Sequence, residues 1–136
     1  MTRTTRFDPR PSLIYVTGTI SGPDGMTQLR LVVDTGVSLT LIVPRIIHQI
    51  GYGPEDADVV TSVYSAAGKE HGYMLREARF ATLGFAMVNF PVNVFDLPDR
   101  DLCDGLIGLN FLRQFNCQIR PKDGCILLEN LAPLAA

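Results

Sequence analysis

Apolar and polar residues alternate with a period of two along most of the chain, and this pattern predicts a protein built mainly from β-strands. Segments rich in Gly, Pro, Asp and Ser separate the alternating stretches, as expected of turns. Asn89 and Pro91 predict a bend within the alternating stretch at residues 85–95. We expect strands at residues 12–20, 27–33, 59–64, 73–83, 85–95, 117–120 and 125–129.

Two short segments have helical rather than strand spacing. Residues 44–51 begin with Pro44, end at Gly51 and place three isoleucines on one face, which is typical of a single helical turn. Phe111, Leu112 and Phe115 are also spaced as on a helix, so we expect the clearer of the two helices at residues 109–115.

The composition fits one globular domain with a modest core. The chain has 136 residues, of which 46% are hydrophobic and 19% charged. Its net charge of −2 gives no reason to expect nucleic acid or an anionic membrane as a partner. No apolar run is long enough for a membrane span. We interpret residues 1–11 as a flexible N-terminal arm without the apolar block of a signal peptide, residues 12–130 as the domain, and residues 131–136 as a tail.

The cysteines and histidines do not suggest a metal or a cofactor. Cys103, Cys117 and Cys125 are odd in number and have no Cys-x-x-Cys spacing, so we expect buried thiols in a reducing cytoplasm. His48 and His71 are far apart in sequence, and neither forms a ligand-spaced pair with a cysteine.

One stretch brings polar chemistry to the edge of an apolar segment. The run that ends at Val33 leads into Asp34-Thr35-Gly36-Val37-Ser38, and a second apolar run follows. Asp and Gly are depleted inside strands, so this segment reads as a tight turn between two strands. The glycine allows a close backbone approach, and the two hydroxyls can fix the carboxylate. An ordinary Asx-turn is the alternative interpretation.

Asp34-Thr35-Gly36-x-Ser38 after an apolar strand resembles the active-site loop of the aspartic proteases. A second motif, Leu106-Ile107-Gly108 followed by a predicted short helix, lies about seventy residues further on, as in proteases of the retroviral type. The chain is therefore similar, over roughly residues 12–130, to the single-domain retropepsin-like branch of that family, which has bacterial and retroviral members.

The resemblance implies a fold and an activity. The fold would be all-β, a closed antiparallel β-barrel with one short helix, and the activity that of a homodimeric aspartic endopeptidase. Because the chain has one Asp-Thr-Gly and no internal repeat, Asp34 would meet Asp34 of a second copy across a two-fold axis. Thr35 would brace the two loops, Gly36 would let the backbone pass close, and Ser38 would hydrogen-bond the outer carboxylate oxygen.

The resemblance also implies how a substrate is held. Residues 65–72, with Ser65, Ala66, Ala67 and Gly68 as binding residues, occupy the place of the family's flap, although their composition also fits a plain hairpin tip. An extended peptide would bind beneath this flap as an added strand. Leu106, Ile107 and Gly108 would lie beside the catalytic loop, and Leu39, Val59 and Leu106 would form apolar walls of the cleft.

Two features depart from the family, and three alternatives stay open. Val37 stands where a smaller residue is usual, and terminal strands that pair the subunits of viral members are not recognisable. An intrachain pair of Asp34 and Asp104 is a mechanistic alternative, although Asp104 also fits an ordinary turn. A non-catalytic peptide-binding or dimerisation module on the same fold is another. The chain could also be a catalytic domain of a longer, membrane-anchored protein.

Overall fold

A computed structural model describes residues 1–65, 68–97 and 102–131, and strands dominate these residues. Its helices are α1 (Pro44–Gln49), a 3₁₀ turn (Pro54–Asp56) and α2 (Leu109–Leu112). The strands are β1 (Thr2–Arg6), β2 (Tyr15–Gly22), β3 (Gly25–Val33), β4 (Leu41–Ile42), β5 (Val59–Ser65), β6 (Gly68–Leu75), β7 (Arg79–Thr82), β8 (Phe85–Met87), β9 (Val92–Val94), β10 (Gly105–Ile107), β11 (Asn116–Arg120) and β12 (Cys125–Glu129).

The larger sheet is a curled half-barrel with the strand order β5-β6-β9-β4-β10-β3-β2-β7-β8. Its pairs are antiparallel except for β10 on β3 and β4 on β9, which are parallel. The prediction of a mostly antiparallel β-rich fold is therefore confirmed. Within the described ranges the order runs from β5 at one end to β8 at the other, so closure into a full barrel stays a prediction.

The hydrophobic core lies on one face of this sheet and receives alternate residues from most of its strands. Leu29 and Leu31 of β3 and Ile107 of β10 are among its buried members. Both helices close over it, and Phe111 of α2 stacks edge-on against Phe80 with ring centroids 5.6 Å apart.

The N-terminal residues form a strand, which differs from the predicted flexible arm. β1 pairs antiparallel with β12, from Thr2 opposite Glu129 to Arg6 opposite Cys125, and β11 completes a three-stranded sheet. The sequence Thr-Arg-Thr-Thr-Arg gives no apolar signal because β1 is a largely exposed edge strand. Its register comes from the apolar strand beside it, and this terminal pairing was not recognisable in the sequence.

Several predicted boundaries also change. The predicted strand 73–83 is divided between β6 and β7, and the hairpin tip is shorter than residues 65–72, since pairing continues to Ser65 opposite Gly68. The second helix ends at Leu112 rather than at residue 115. Among the described residues, none of the helices has the length and apolar character needed to cross a membrane.

Candidate active site

Asp34 lies at the end of β3, where the paired strands give way to a loop. Its backbone N–H donates to the carbonyl of Ile107 at 3.0 Å, which continues the parallel pairing of β3 with β10 by one residue. The side chain is half-buried. The strand therefore sets the position of this acid, while its carboxylate stays in reach of a ligand.

The loop holds one oxygen of the Asp34 carboxylate. The N–H of Gly36 donates to Oδ1 at 2.9 Å, and no other described residue hydrogen-bonds this carboxylate. The structure describes no bond from the Ser38 hydroxyl to this carboxylate, so the role predicted for Ser38 stays a prediction. Its side chain is exposed, and its carbonyl accepts from the N–H of Asn110 at 3.0 Å. Thr35 is exposed in the single chain.

The Leu106-Ile107-Gly108 segment passes directly against this loop. Gly108 has no room for a side chain, because an added Cβ would lie 2.8 Å from the carbonyl oxygen of Val37 and 2.9 Å from the backbone nitrogen of Thr40. The next residue, Leu109, donates its N–H to the same Val37 oxygen at 2.8 Å. The structure therefore brings together the two motifs on which the resemblance depends.

A buried polar network fixes the contact, and the sequence analysis missed it. The Thr40 hydroxyl accepts from the N–H of Gly108 at 3.1 Å and donates to Oδ1 of Asn110 at 2.8 Å. The same Oδ1 accepts from the N–H of Thr40, and Nδ2 of Asn110 donates to the carbonyl of Pro91. A threonine inside the apolar run 39–43 was the available signal, since buried polar groups are normally bonded.

The predicted flap corresponds to the hairpin of β5 and β6. Ser65 and Gly68 form its last pair, and Gly68 has a φ of 115°, which favours glycine. Ala66 and Ala67 lie outside the described residues. Of the predicted cleft walls, Val59 is 52% exposed, and Leu39 and Leu106 are half-buried.

Asp104 does not meet Asp34. It precedes β10 beside Arg30, so about four strand positions, or ~13 Å, separate it from Asp34. Its Oδ2 accepts from the backbone N–H of Arg30 at 2.8 Å, and its Oδ1 accepts from the Arg45 guanidinium at 2.9 Å. The carboxylate therefore joins three chain segments, and the geometry does not support the intrachain pair.

The two histidines, distant in sequence, line one groove of about 500 Å³ between α1 and the hairpin. Tyr52 and Tyr73 line it too. Burial raises the pKa of both phenols, and the nearby acids add to this: Glu77 and then Asp56 for Tyr52, Glu55 and then Asp56 for Tyr73. The groove is chiefly apolar, and the described residues form no cluster of three or more His, Cys, Asp or Glu suited to a metal ion.

An acid loop at the end of a curled half-barrel, with an apolar-apolar-glycine strand against it, defines the retropepsin-like aspartic protease fold. The family described as aspartyl protease matches residues 16–111, and the chain belongs to that family.

Two examples illustrate the solved structures that share the fold. A retropepsin-like aspartic protease from Rickettsia conorii matches with a TM-score of 0.66 at 17% identity, over 96% of this chain and 91% of its own. The retroviral protease-like domain of Ddi1 from Leishmania major matches with a TM-score of 0.60 at 17% identity, over 93% of this chain and 100% of its own. No curated protein sequence matches the chain. Family and fold together support a protease.

Proposed function

We propose that the protein is a homodimeric aspartic endopeptidase in which Asp34 of each copy supplies one carboxyl. The observation that carries the proposal is the Asp34 loop itself. Gly36 holds one carboxylate oxygen, and no described residue of the same chain occupies the other. A chain with one such loop and no repeat obtains a second carboxyl by symmetric association.

The proposed chemistry uses two carboxyls that share one proton, because like charges at close range do not both ionise. Pepsin and HIV protease are known examples of this behaviour. The ionised carboxyl takes a proton from a water, whose oxygen attacks the peptide carbonyl carbon. The protonated carboxyl gives its proton to the carbonyl oxygen. Collapse of the resulting diol breaks the C–N bond. The amine leaves with the proton of one carboxyl, while the other carboxyl takes a proton from a diol hydroxyl, so the dyad is again singly protonated.

The remaining loop residues and the hairpin have supporting roles in this proposal. Thr35, exposed in the single chain, braces the loop of the second copy. The hairpin of β5 and β6, including Ser65–Gly68, acts as a flap that holds an extended peptide as an added strand. Because β5 is the end strand of the described sheet, its outer edge is free to pair with such a peptide. We place this activity in the cytoplasm, since a reducing compartment suits Cys103, Cys117 and Cys125, which form no disulfide among the described residues.

The proposal is tested by peptide cleavage with wild-type protein and with Asp34→Asn. We expect wild type to cleave, with a bell-shaped pH dependence of kcat/KM on the acid side of neutrality, and the variant to be inactive while light scattering still shows a dimer. Asp123→Asn, in an exposed turn, is the matched control and should keep wild-type activity. Cleavage by Asp34→Asn, or full activity above pH 9, would overturn the proposal. Peptide binding without cleavage by wild type would favour the non-catalytic module.

A further inference from the structure

A row of side chains crosses the face of the large sheet opposite to the hydrophobic core. Strand pairing places its members directly opposite one another, and opposed residues point to the same face. Leu106 is paired with Val32 and with Leu41, Leu41 with Asn93, and Asn93 with Met74. The row, which we call the cleft row, consists of Val32, Leu106, Leu41, Asn93, Met74 and Val59.

The cleft row faces the same side as Asp34. Asp34 follows Val32 by two residues, and the bond from its N–H to Ile107 continues the strand geometry, so the two side chains share a face. The core takes the alternate residues of these strands, such as Leu31, Ile42 and Val94. The cleft row therefore forms a wall that runs from the candidate catalytic acid to the base of the hairpin.

Asn93 is the one polar member of this wall. It is half-buried between Leu41 and Met74, which are 7% and 5% exposed. Its Oδ1 accepts a 2.7 Å hydrogen bond from the hydroxyl of Thr61, and no described residue accepts from its Nδ2. Gly72 makes room for this pair, since a Cβ there would lie 3.1 Å from the Thr61 hydroxyl. The bond from Thr61 thus orients the amide, and no described residue uses its remaining hydrogen-bonding capacity.

We propose that Asn93 is a specificity-determining residue that selects a substrate carboxamide side chain, Gln or Asn; this inference rests on the proposed function. Nδ2 can donate to the substrate oxygen, and the second lone pair of Oδ1 can accept from the substrate nitrogen. A carboxylate can only accept, and it adds a negative charge to a cleft that already carries that of the Asp34 pair. An apolar side chain leaves the amide desolvated and unpaired.

The position of the selected side chain follows from the sheet. Asn93 lies three strand spacings from Val32, which is about 14 Å across the sheet. Asp34 lies two residues beyond Val32, which is about 7 Å along the chain. This separation corresponds to at most about five residues of an extended peptide. Thr61 acts as a positioning residue, because its hydroxyl orients the Asn93 amide without itself taking the ligand.

The experiment compares two readouts on peptide libraries that vary five residues on each side of the cleavage site. One is cleavage by otherwise wild-type protein, and the other is peptide binding to Asp34→Asn protein. We expect roughly ten-fold preference for Gln or Asn over Leu at one position, lost in Asn93→Leu. Thr61→Val should weaken the preference and Thr61→Ser should keep it. Asn116→Leu, which changes an exposed asparagine of β11, is the matched control and should leave the profile unchanged.

The two readouts separate the failure of this inference from the failure of the proposed function. Cleavage with a profile that Asn93→Leu does not change would overturn the inference and leave the protease intact. Binding that depends on Asn93, without any cleavage by wild type, would support the inference for a binding cleft and overturn the protease. A preference for carboxylate or apolar side chains at every varied position would also overturn the inference.

Discussion

The hydroxyl of Thr40 donates to Oδ1 of Asn110 at 2.8 Å, across seventy residues of sequence. Thr40 follows the Asp34 loop and is completely buried, while Asn110 lies in α2. Because the same hydroxyl accepts from the N–H of Gly108, one side chain satisfies groups from both motifs of the candidate site. We infer that this bond fixes the loop against α2, so that its loss should disturb stability and activity together.

Thr40→Val tests this relationship. The change keeps the shape of the side chain but leaves the buried N–H of Gly108 without its partner, so we expect a loss of about 1–3 kcal/mol in the free energy of unfolding. The rate of cleavage should fall as well, because the Asp34 loop loses its anchor. Urea denaturation and peptide cleavage measure the two effects.

Thr40→Ser and Thr4→Val are the controls for this prediction. The serine keeps the hydroxyl and loses only a methyl group, so activity should largely return at a cost of about 1 kcal/mol. Thr4 is exposed on the edge strand β1, and its change to valine should stay within about 0.5 kcal/mol of wild type. Equal effects of Thr40→Val and Thr4→Val would show that the buried bond is unimportant.

The parts of the fold that sequence could predict are those with a local signal. Alternation located β2, β3, β11 and β12, and the isoleucine spacing located α1, because each of these elements buries one face. β1 was missed because its largely exposed residues follow a partner strand rather than a pattern of their own. Such a strand cannot be predicted from its own residues, because the strand that pairs with it lies far away in sequence.

The residues of the candidate site also divide into those with a local sequence signal and those without one. Asp34, Gly36 and Gly108 could be predicted because their local motifs are specific. The contribution of Asn110 depends on two long-range bonds, to Thr40 and to Pro91, that no short motif encodes. The cleft row likewise depends on the register of six strands. The bond from the Ser38 hydroxyl to the Asp34 carboxylate stays a prediction, because a motif gives the residue but not the rotamer of its side chain.

Stability should fall at alkaline pH. Burial raises the pKa of the Cys117 thiol above its ordinary 9.0 and, with acidic neighbours, that of the Tyr52 and Tyr73 phenols above 10.0. Each group therefore loses its proton more readily in the unfolded chain, so its contribution is present below its unfolded pKa and is lost as the pH rises. Urea denaturation at pH 7, 9 and 10.5 should show this loss, and Tyr73→Phe should reduce it. An unchanged slope in Tyr73→Phe would contradict the assignment.

The hairpin of β5 and β6 should become more protected when a peptide binds. If it acts as a flap, residues 65–72 open in the free protein and close over the ligand. Hydrogen exchange of these amides should therefore slow in the presence of a peptide analogue, while exchange in the hairpin of β11 and β12 should not change. Equally slow exchange of residues 65–72 with and without the analogue would rule out a flap.

Mixing Asp34→Asn protein with wild type tests whether two chains share one site. Asparagine has the shape of aspartate and can accept the same Gly36 N–H, so the variant should still associate. It cannot serve as the ionised base, so a mixed dimer should be inactive. If subunits exchange freely at equal amounts, only about one quarter of the dimers are wild-type pairs, and activity per dimer should fall to that fraction. Thr4→Val protein, mixed in the same way, controls for dilution. Activity that falls only in proportion to the wild-type share would mean that each chain carries its own complete site. Asp104→Asn would then test the intrachain pair of Asp34 and Asp104 directly, although the structure keeps these two carboxylates apart.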